Sequence, residues 1–453
     1  MHLTAGPPRR LNAAMTRRTF LKTTMVAAAS APRLFAGPNS PDSPEARLLE
    51  EAEERIRRHR RRGRTLALQD ASGRPLAGVR VRVEQVRHEF LFGCNLFQFG
   101  RGADSDLEDA YRRRFAELFN FATLGFYWAF YEPRRGEPRY ADTERVLEWT
   151  RAQGIVCKGH PLVWDHPAGS PRWLPEDDVE LARLCEARVR EIVSRFRGRI
   201  EMWDVVNEAT HLPDRVNQTR MARWGLALGP VPYTRRPLEV AREAHPAATL
   251  LVNDYRLDPR YYDLLDALRD ADGRPLFDAV GLQSHMHGGV WPLRRVWEVC
   301  DRYAKLGRPL HFTETTVLSG PRLGPGENWG TTTAEGELQQ ADYVVRFYTM
   351  VFAHPATQAL TWWDLSDRGA WQRAPAGLLR RDMSPKPAYE RLQELIRRRW
   401  WTRGEQRTDE SGLCRWEAFH GIYRVTIERE GSAPVVREVD WRSAAPDRTV
   451  LTV

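Results

Sequence analysis

From Phe90 to Arg399 the chain alternates eight times between a short apolar run and a longer stretch of mixed polarity. The apolar runs are Phe90 to Phe97, Asn120 to Leu124, Ile155 to Gly159, Ile200 to Val206, Thr249 to Asn253, Ala279 to Gln283, Pro309 to Thr313 and Ala359 to Trp363. Each has the length and character of a buried β-strand. Helical stretches fill the gaps, among them Leu107 to Phe119, Asp142 to Gln153, Val179 to Phe196 and Leu338 to Phe352. Eight strand–helix units in about 300 residues is the count for an α/β fold closed as a (β/α)8 TIM barrel. An open, doubly wound sheet usually announces itself with a Gly-rich first turn, and none is present. No internal repeat is visible.

The flanks differ. Residues 1–36 read as a twin-arginine signal peptide: Thr16-Arg-Arg-Thr-Phe-Leu-Lys22, then the small apolar stretch Met25 to Ala29 and a cleavage site near Leu34-Phe-Ala36. The stretch is too short to span a membrane. The expected destination is the periplasm or the medium, reached already folded. Met15 is an alternative start. Residues 37–89 read as a linker, a charged helix from Glu45 to Arg62 and a β-hairpin. The hairpin would pair Thr65–Gln69 with the alternating Gly78–Glu84 across Ala71-Ser-Gly-Arg-Pro75. Residues 90–399 form the barrel, and 400–453 a small β domain in which Gly421–Glu428 pairs with Val435–Val439 across Gly431 to Pro434.

Composition narrows the partners. Hydrophobic residues at 42% and charged residues at 28% are an ordinary globular balance. The net charge of +9 is concentrated in Arg57 to Arg62 and Arg397 to Arg399. No nucleic-acid motif accompanies them, so they read as solvated helix faces rather than a nucleic-acid or membrane patch. Five scattered cysteines without a C-x-x-C exclude a zinc ribbon or a disulfide scaffold. Sixteen tryptophans mildly favour a carbohydrate site, since indoles also stack on sugar rings. A monomer is expected.

Two of the apolar runs end in glutamate: Glu208 after Trp203-Asp-Val-Val-Asn207, and Glu314 after Phe312-Thr313. Burying an unpaired charge is too costly for the core. The carboxylates belong at the C-terminal lip of a barrel, where parallel α/β folds do their chemistry. Other strand endings are polar too: His160 to His166, Asn253-Asp254-Tyr255, Gln283-Ser284-His285 and Trp363-Asp364, with Trp371 beyond. So many on one rim describe a lined cleft. Two carboxylates facing one sugar are the equipment for glycosidic cleavage, which needs neither metal nor cofactor. No H-E-x-x-H grouping points to a metal.

These residues resemble the motifs of glycoside hydrolase family 10, the retaining xylanases with a (β/α)8 barrel. The correspondence covers about residues 45–453: W-D-V-V-N-E at Trp203 to Glu208, T-E at Thr313-Glu314, G-H-x-L-V-W at Gly159 to Trp164, N-D-Y at Asn253 to Tyr255, Q-S-H at Gln283 to His285, W-x-x-x-D-x-x-x-W at Trp363, Asp367 and Trp371, and P-K-P-A-Y at Pro385 to Tyr389. The N-terminal and C-terminal β segments resemble the longer, plant-like members. The resemblance implies hydrolysis of β-1,4 bonds in xylan or xylo-oligosaccharides. Glu208 would be the acid/base, its pKa raised, and Glu314 the nucleophile. Asn207 would bind the sugar 2-OH and His285 would hold Glu314 ionised. His160 and Trp164 would shape the site at the bond cut, Trp363 and Trp371 would cover the sugar, and Gln283 and Tyr255 would join the substrate-binding set.

Two positions depart from the pattern. The family's E-N-x-x-K at the end of strand two is replaced by a stretch two residues shorter that carries Phe126, Tyr127 and Trp128. Asp165 stands where His often follows the Trp. A site built to hydrogen-bond hydroxyls discriminates strongly, so aromatics there predict a reshaped distal subsite. Two alternatives follow: the same chemistry on a decorated, aryl or terpenoid β-glycoside, or an inactive carbohydrate-binding barrel.

Overall fold

The computed structural model describes residues 43–101, 104–321 and 329–453. The twin-arginine stretch, the cleavage site and most of the linker lie outside the described residues. Eight parallel strands form the centre: β1 (Leu91–Asn95), β2 (Phe121–Gly125), β3 (Val156–His160), β4 (Met202–Asn207), β5 (Thr249–Asp254), β6 (Ala279–His285), β7 (Leu310–Thr316) and β8 (Thr357–Trp362). Each pairs with its sequence neighbours, β8 pairs with β1, and the sheet closes. A two-residue strand, Val163–Trp164, adds to the outer edge of β4 near its end. Helices cover the outside, and several start at a polar cap. Asp177 accepts from the N–H of Glu180 ahead of Asp178–Arg195, and Thr333 does the same for Gly336 ahead of Ala334–Ala353.

Burial on both faces explains why the strands are apolar. Phe92, Leu250, Val280, Leu310, Phe312 and Leu360 are all fully or almost fully buried. Where a large side chain fills the barrel, a neighbour is reduced to glycine. A Cβ on Gly159 would stand 2.1 Å from the Trp203 indole. Dense interiors of this kind leave no room for even one methyl group.

The β-segments from the two ends of the chain combine beside the barrel. Arg61–Gln69 lies between Leu413–Phe419 and Arg448–Thr452. Arg80–His88 lies between Arg403–Arg407 and Gly421–Glu428, and the latter pairs with Val435–Asp440 as its sequence suggested. The expected turn is present, with Asp70 N–H donating to Arg74 O and Asp70 Oδ1 capping Ser72 and Arg74. The two strands it joins do not pair as a hairpin, however. They enter different sheets because the alternating faces of 413–428 offer each a longer partner. Leu66, Leu68, Val81, Val83, Trp416, Tyr423 and Trp441 make the shared small core.

The basic run at 57–62 is likewise only partly a solvated face. Arg57 and Arg58 are exposed. Arg60 donates to the carbonyls of Phe352, His354 and Thr357 at 2.6, 2.6 and 2.8 Å, where the long helix Ala334–Ala353 ends. A guanidinium there complements the helix C-terminus. Beyond the run, buried Arg64 binds the carbonyls of Trp441, Arg442, Ala445 and Pro446.

Candidate active site

Both glutamate-bearing strands break register just before their glutamate. β4 slips against β5 between Asp204 and Val206, and β7 slips against β6 between Phe312 and Glu314. A bulge re-aims the side chains beyond it, and these two turn carboxylates into the barrel mouth. Glu208 follows β4 in the left-handed region, φ 59° and ψ 36°. That conformation costs a non-glycine residue roughly 1–2 kcal/mol. Its N–H is held by Asn253 O at 2.8 Å. Such strain is typical of functional positions.

The carboxylates sit at the two ends of one relay of amides. Gln283 Nε2 donates to Glu208 Oε1 at 3.0 Å and to Asn207 Oδ1 at 3.2 Å. Asn253 Nδ2 donates to Asn207 Oδ1 at 2.9 Å and to Glu314 Oε1 at 2.8 Å. Thr313 Oγ1 fixes the other end of Asn253 at 2.5 Å. With Oδ1 of Asn207 accepting twice, its NH2 is the part with donors to offer a substrate hydroxyl. Gly281 makes the relay possible, since a Cβ there would lie 2.6 Å from Asn253 Oδ1.

Glu314 is otherwise served by histidines. His285 Nε2 lies 3.0 Å from Oε2, and His160 Nε2 lies 3.7 Å from Oε1. Thr316 Oγ1 stands 2.8 Å from His285 Nδ1. Burial lowers the His285 pKa to about 4, so the ring is neutral, with its proton assigned to Nε2 facing Glu314. Behind His160 stands a buried pair: Asp204 Oδ2 is 2.8 Å from His160 Nδ1 and 2.6 Å from Lys158 Nζ. The sequence reading did not single out Lys158 or Asp204. The signal was there, because a lysine in a strand buried on both faces requires a charged partner.

Glu208 has a different partner, Arg215. Its Nη2 lies 2.5 Å from Glu208 Oε2 and its Nη1 2.7 Å from Asp165 Oδ1. Trp164 Nε1 also donates to Oε2 at 3.0 Å. No motif marked Arg215, which ends the one-turn helix Leu212–Arg215 beyond β4.

The two carboxylates are shifted in directions that the resemblance did not imply. Burial pushes Glu314 up to about 7, helped by the charges of Glu208 and Asp204 and opposed by His160 and Lys158. Burial also works to raise Glu208, but Arg215 and the Gln283 hydrogen bond outweigh it and hold the group below its ordinary value. Glu208 was expected to be raised. The main physical cause is the guanidinium in direct contact with Glu208; the hydrogen-bond partners of Glu314 are Asn253 and His285, with His160 further off at 3.7 Å.

The remaining expected residues line the mouth. Trp363 is buried and packs edge-on against Phe97, His160 and His285. Trp371 is 43% exposed, and its ring lies 4.6 Å from that of His285. Tyr255 stands on the outer rim, stacked on His211 at 4.0 Å rather than touching either glutamate. Of the three aromatics replacing the polar grip, only Tyr127 faces the site, 5.6 Å from the His160 ring and 5.5 Å from Trp164. Phe126 packs into the core against Phe196 and Trp203, and Trp128 is buried with its N–H on Glu132. Asp367 pairs with buried Lys386 at 2.7 Å and serves the loop after β8.

Comparison with known proteins agrees with this geometry. The family model described as Glycosyl hydrolase family 10 matches residues 95–395. The anti-sigma-I factor RsgI6 of Acetivibrio thermocellus is 26% identical over 390 residues, which is 84% of this chain and 47% of that protein. The chain thus spans about half of that relative's length. Endo-1,4-beta-xylanase B of Thermotoga neapolitana is 28% identical over 295 residues, 61% of this chain and 81% of that enzyme. Among solved structures, the family 10 protein from Paenibacillus barcinonensis superposes with a TM-score of 0.57 at 23% identity, covering 68% of this chain and 96% of that one. That likeness shows the barrel. The family match spans both glutamates and most of the rim, and the chain belongs to glycosyl hydrolase family 10.

Proposed function

We propose that this chain is a retaining glycoside hydrolase cleaving β-1,4-xylosidic bonds by double displacement. The observation that carries the reading is the amide relay that joins Glu208 to Glu314 across one pocket. Glu314 attacks the anomeric carbon while Glu208 gives its proton to the departing oxygen. A water then displaces the glycosyl group, giving its proton to Glu208. Attack of this kind requires the carboxyl groups about 5–5.5 Å apart. Asn207 is the donor to the 2-OH, neutral His285 orients Glu314, and the Trp363 and Trp371 rings bound the sugar.

Tyr127 favours a second reading, the same chemistry on a small, decorated or aryl β-glycoside. Its ring occupies the strand-two end where the family carries polar sugar contacts, so an extended chain finds fewer donors there. The test is hydrolysis of xylan, xylo-oligosaccharides and aryl β-xylosides beside a Glu314→Ala variant. Release from polymer supports the first reading, and release from small substrates alone supports the second. Equal behaviour of wild type and variant on every β-glycoside would overturn both.

A further inference from the structure

Arg215 is more than a fixed counter-ion, because it stands between two acceptors and satisfies only part of each. It makes one bond to Glu208 and one to Asp165, and Asp165 Oδ2 is buried with no hydrogen-bond partner among the described residues. An unpartnered carboxylate oxygen beside a guanidinium with five donors is a second seat for it. Asp165 itself is anchored, since Thr219 Oγ1 donates to its carbonyl at 2.6 Å. The guanidinium lies 5.7 Å from the Trp164 ring centre, whose face is a surface it can cross. All three groups are nearly out of solvent, with side-chain exposures of 12% for Arg215, 7% for Glu208 and 0% for Asp165.

We infer that Arg215 is a positioning residue that shuttles between Glu208 and Asp165 during turnover, releasing Glu208 to carry a proton and returning when it has given that proton up. The inference rests on the assignment of Glu208 as acid/base. In the resting arrangement the guanidinium sits on Glu208 and favours its charged form, the reverse of what the first displacement needs. When a substrate enters, Arg215 turns onto both oxygens of Asp165, and the proton held by the Glu208–Glu314 pair resides on Glu208, leaving Glu314 a carboxylate. Glu314 then bonds to the anomeric carbon, the glycosidic C–O bond breaks and the leaving oxygen receives the Glu208 proton. Glu208 is again a carboxylate, and Arg215 closes on it. In the second displacement water bonds to the anomeric carbon, its proton goes to Glu208, and Glu314 departs as a carboxylate.

Other groups also act on Glu208. On one side these are Asp165, His166, His211 and Tyr255. On the other they are Glu314, His285 and Tyr127. Arg215 is the one cation of this group in direct contact with the carboxylate.

The experiment is the pH dependence of kcat/KM on an aryl β-xyloside for wild type, R215M, R215K and D165N. The limbs belong to the Glu208–Glu314 pair jointly. Removing the guanidinium strengthens proton binding at Glu208, so the basic limb of R215M moves up by one pH unit or more. R215K, which keeps a cation, moves back toward wild type. D165N removes both the competing seat and a neighbouring negative charge, so its basic limb moves down. Opposite shifts are a signature that general damage to the fold does not give. Superimposable profiles for wild type and R215M, or shifts of R215M and D165N in the same direction, overturn the inference. If R215M does not fold, the downward shift of D165N decides alone. Infrared carboxylate titration of each protein, with its E208Q counterpart subtracted, reads the same shifts without turnover. A protein that titrates as described yet hydrolyses no β-glycoside leaves Arg215 as inferred and counts against the proposed function only.

Discussion

Glu208 and Glu314 are the same residue, almost equally buried at 6% and 4% exposure, and they share one hydrogen-bond relay. Their immediate partners differ in charge. Glu208 faces a guanidinium shared with Asp165, whereas Glu314 is held by an amide and a neutral imidazole, with the Lys158–Asp204 pair one residue further back. Burial pushes both carboxyls toward the neutral form, and at Glu208 the guanidinium in contact, helped by the Gln283 hydrogen bond, outweighs it. The difference teaches that proton placement here is set by what touches each carboxylate, not by depth.

Substitutions sharpen the contrast in order of size. On the proposed mechanism Glu314→Ala removes the covalent route, and activity on every substrate falls about 10^6-fold, the scale lost with a nucleophile. Steady-state rates check it. Glu208→Gln costs about 10^2- to 10^4-fold on substrates with poor leaving groups, and far less on 2,4-dinitrophenyl glycosides, whose leaving group needs no proton. Equal losses on both would remove the distinction between the two carboxylates. Gly281→Ala pushes on Asn253, so about 10-fold to 100-fold in kcat is expected to go with little change in KM. A KM effect alone would mean that the relay does not align Glu314.

Stability provides the smallest effect, and its sign differs between the two residues. The folded pKa of Glu314 lies above its ordinary value, at about 7. Its contribution is therefore complete below the unfolded pKa and is lost as pH rises through about 7, by roughly 3 kcal/mol at most. Glu208 is depressed, so its contribution is present at neutral pH and lost as pH falls. Thermal unfolding from pH 5 to 8 should show Glu314→Gln gaining on wild type as pH rises. Asp364, pushed up to about 7 by burial, supplies a similar slope that this variant keeps.

The barrel was readable because burial on both faces forces each strand into one apolar run, and β5 to β7 begin within a residue of where those runs begin. The glutamates were readable because a charge ending such a run has nowhere to go but the rim. Arg215 was not, since an arginine in a polar loop looks like any solvated one until the loop folds over Trp164. Tyr127 could be singled out as a departure, but only packing separated it from Phe126 and Trp128. The N-terminal strand pairing was misjudged because a tight turn sets neighbours in sequence, whereas the strands of residues 413–428 compete for the same edges from more than 300 residues away.

The most direct measurement is incubation with 2,4-dinitrophenyl 2-deoxy-2-fluoro-β-xyloside, followed by peptide mass spectrometry. A stoichiometric fluoroxylosyl adduct on Glu314, with its formation slowed little in Glu208→Gln, is the predicted result. An adduct on another residue, or product released with inverted anomeric configuration and no adduct, would contradict the pairing of these two carboxylates on one anomeric carbon.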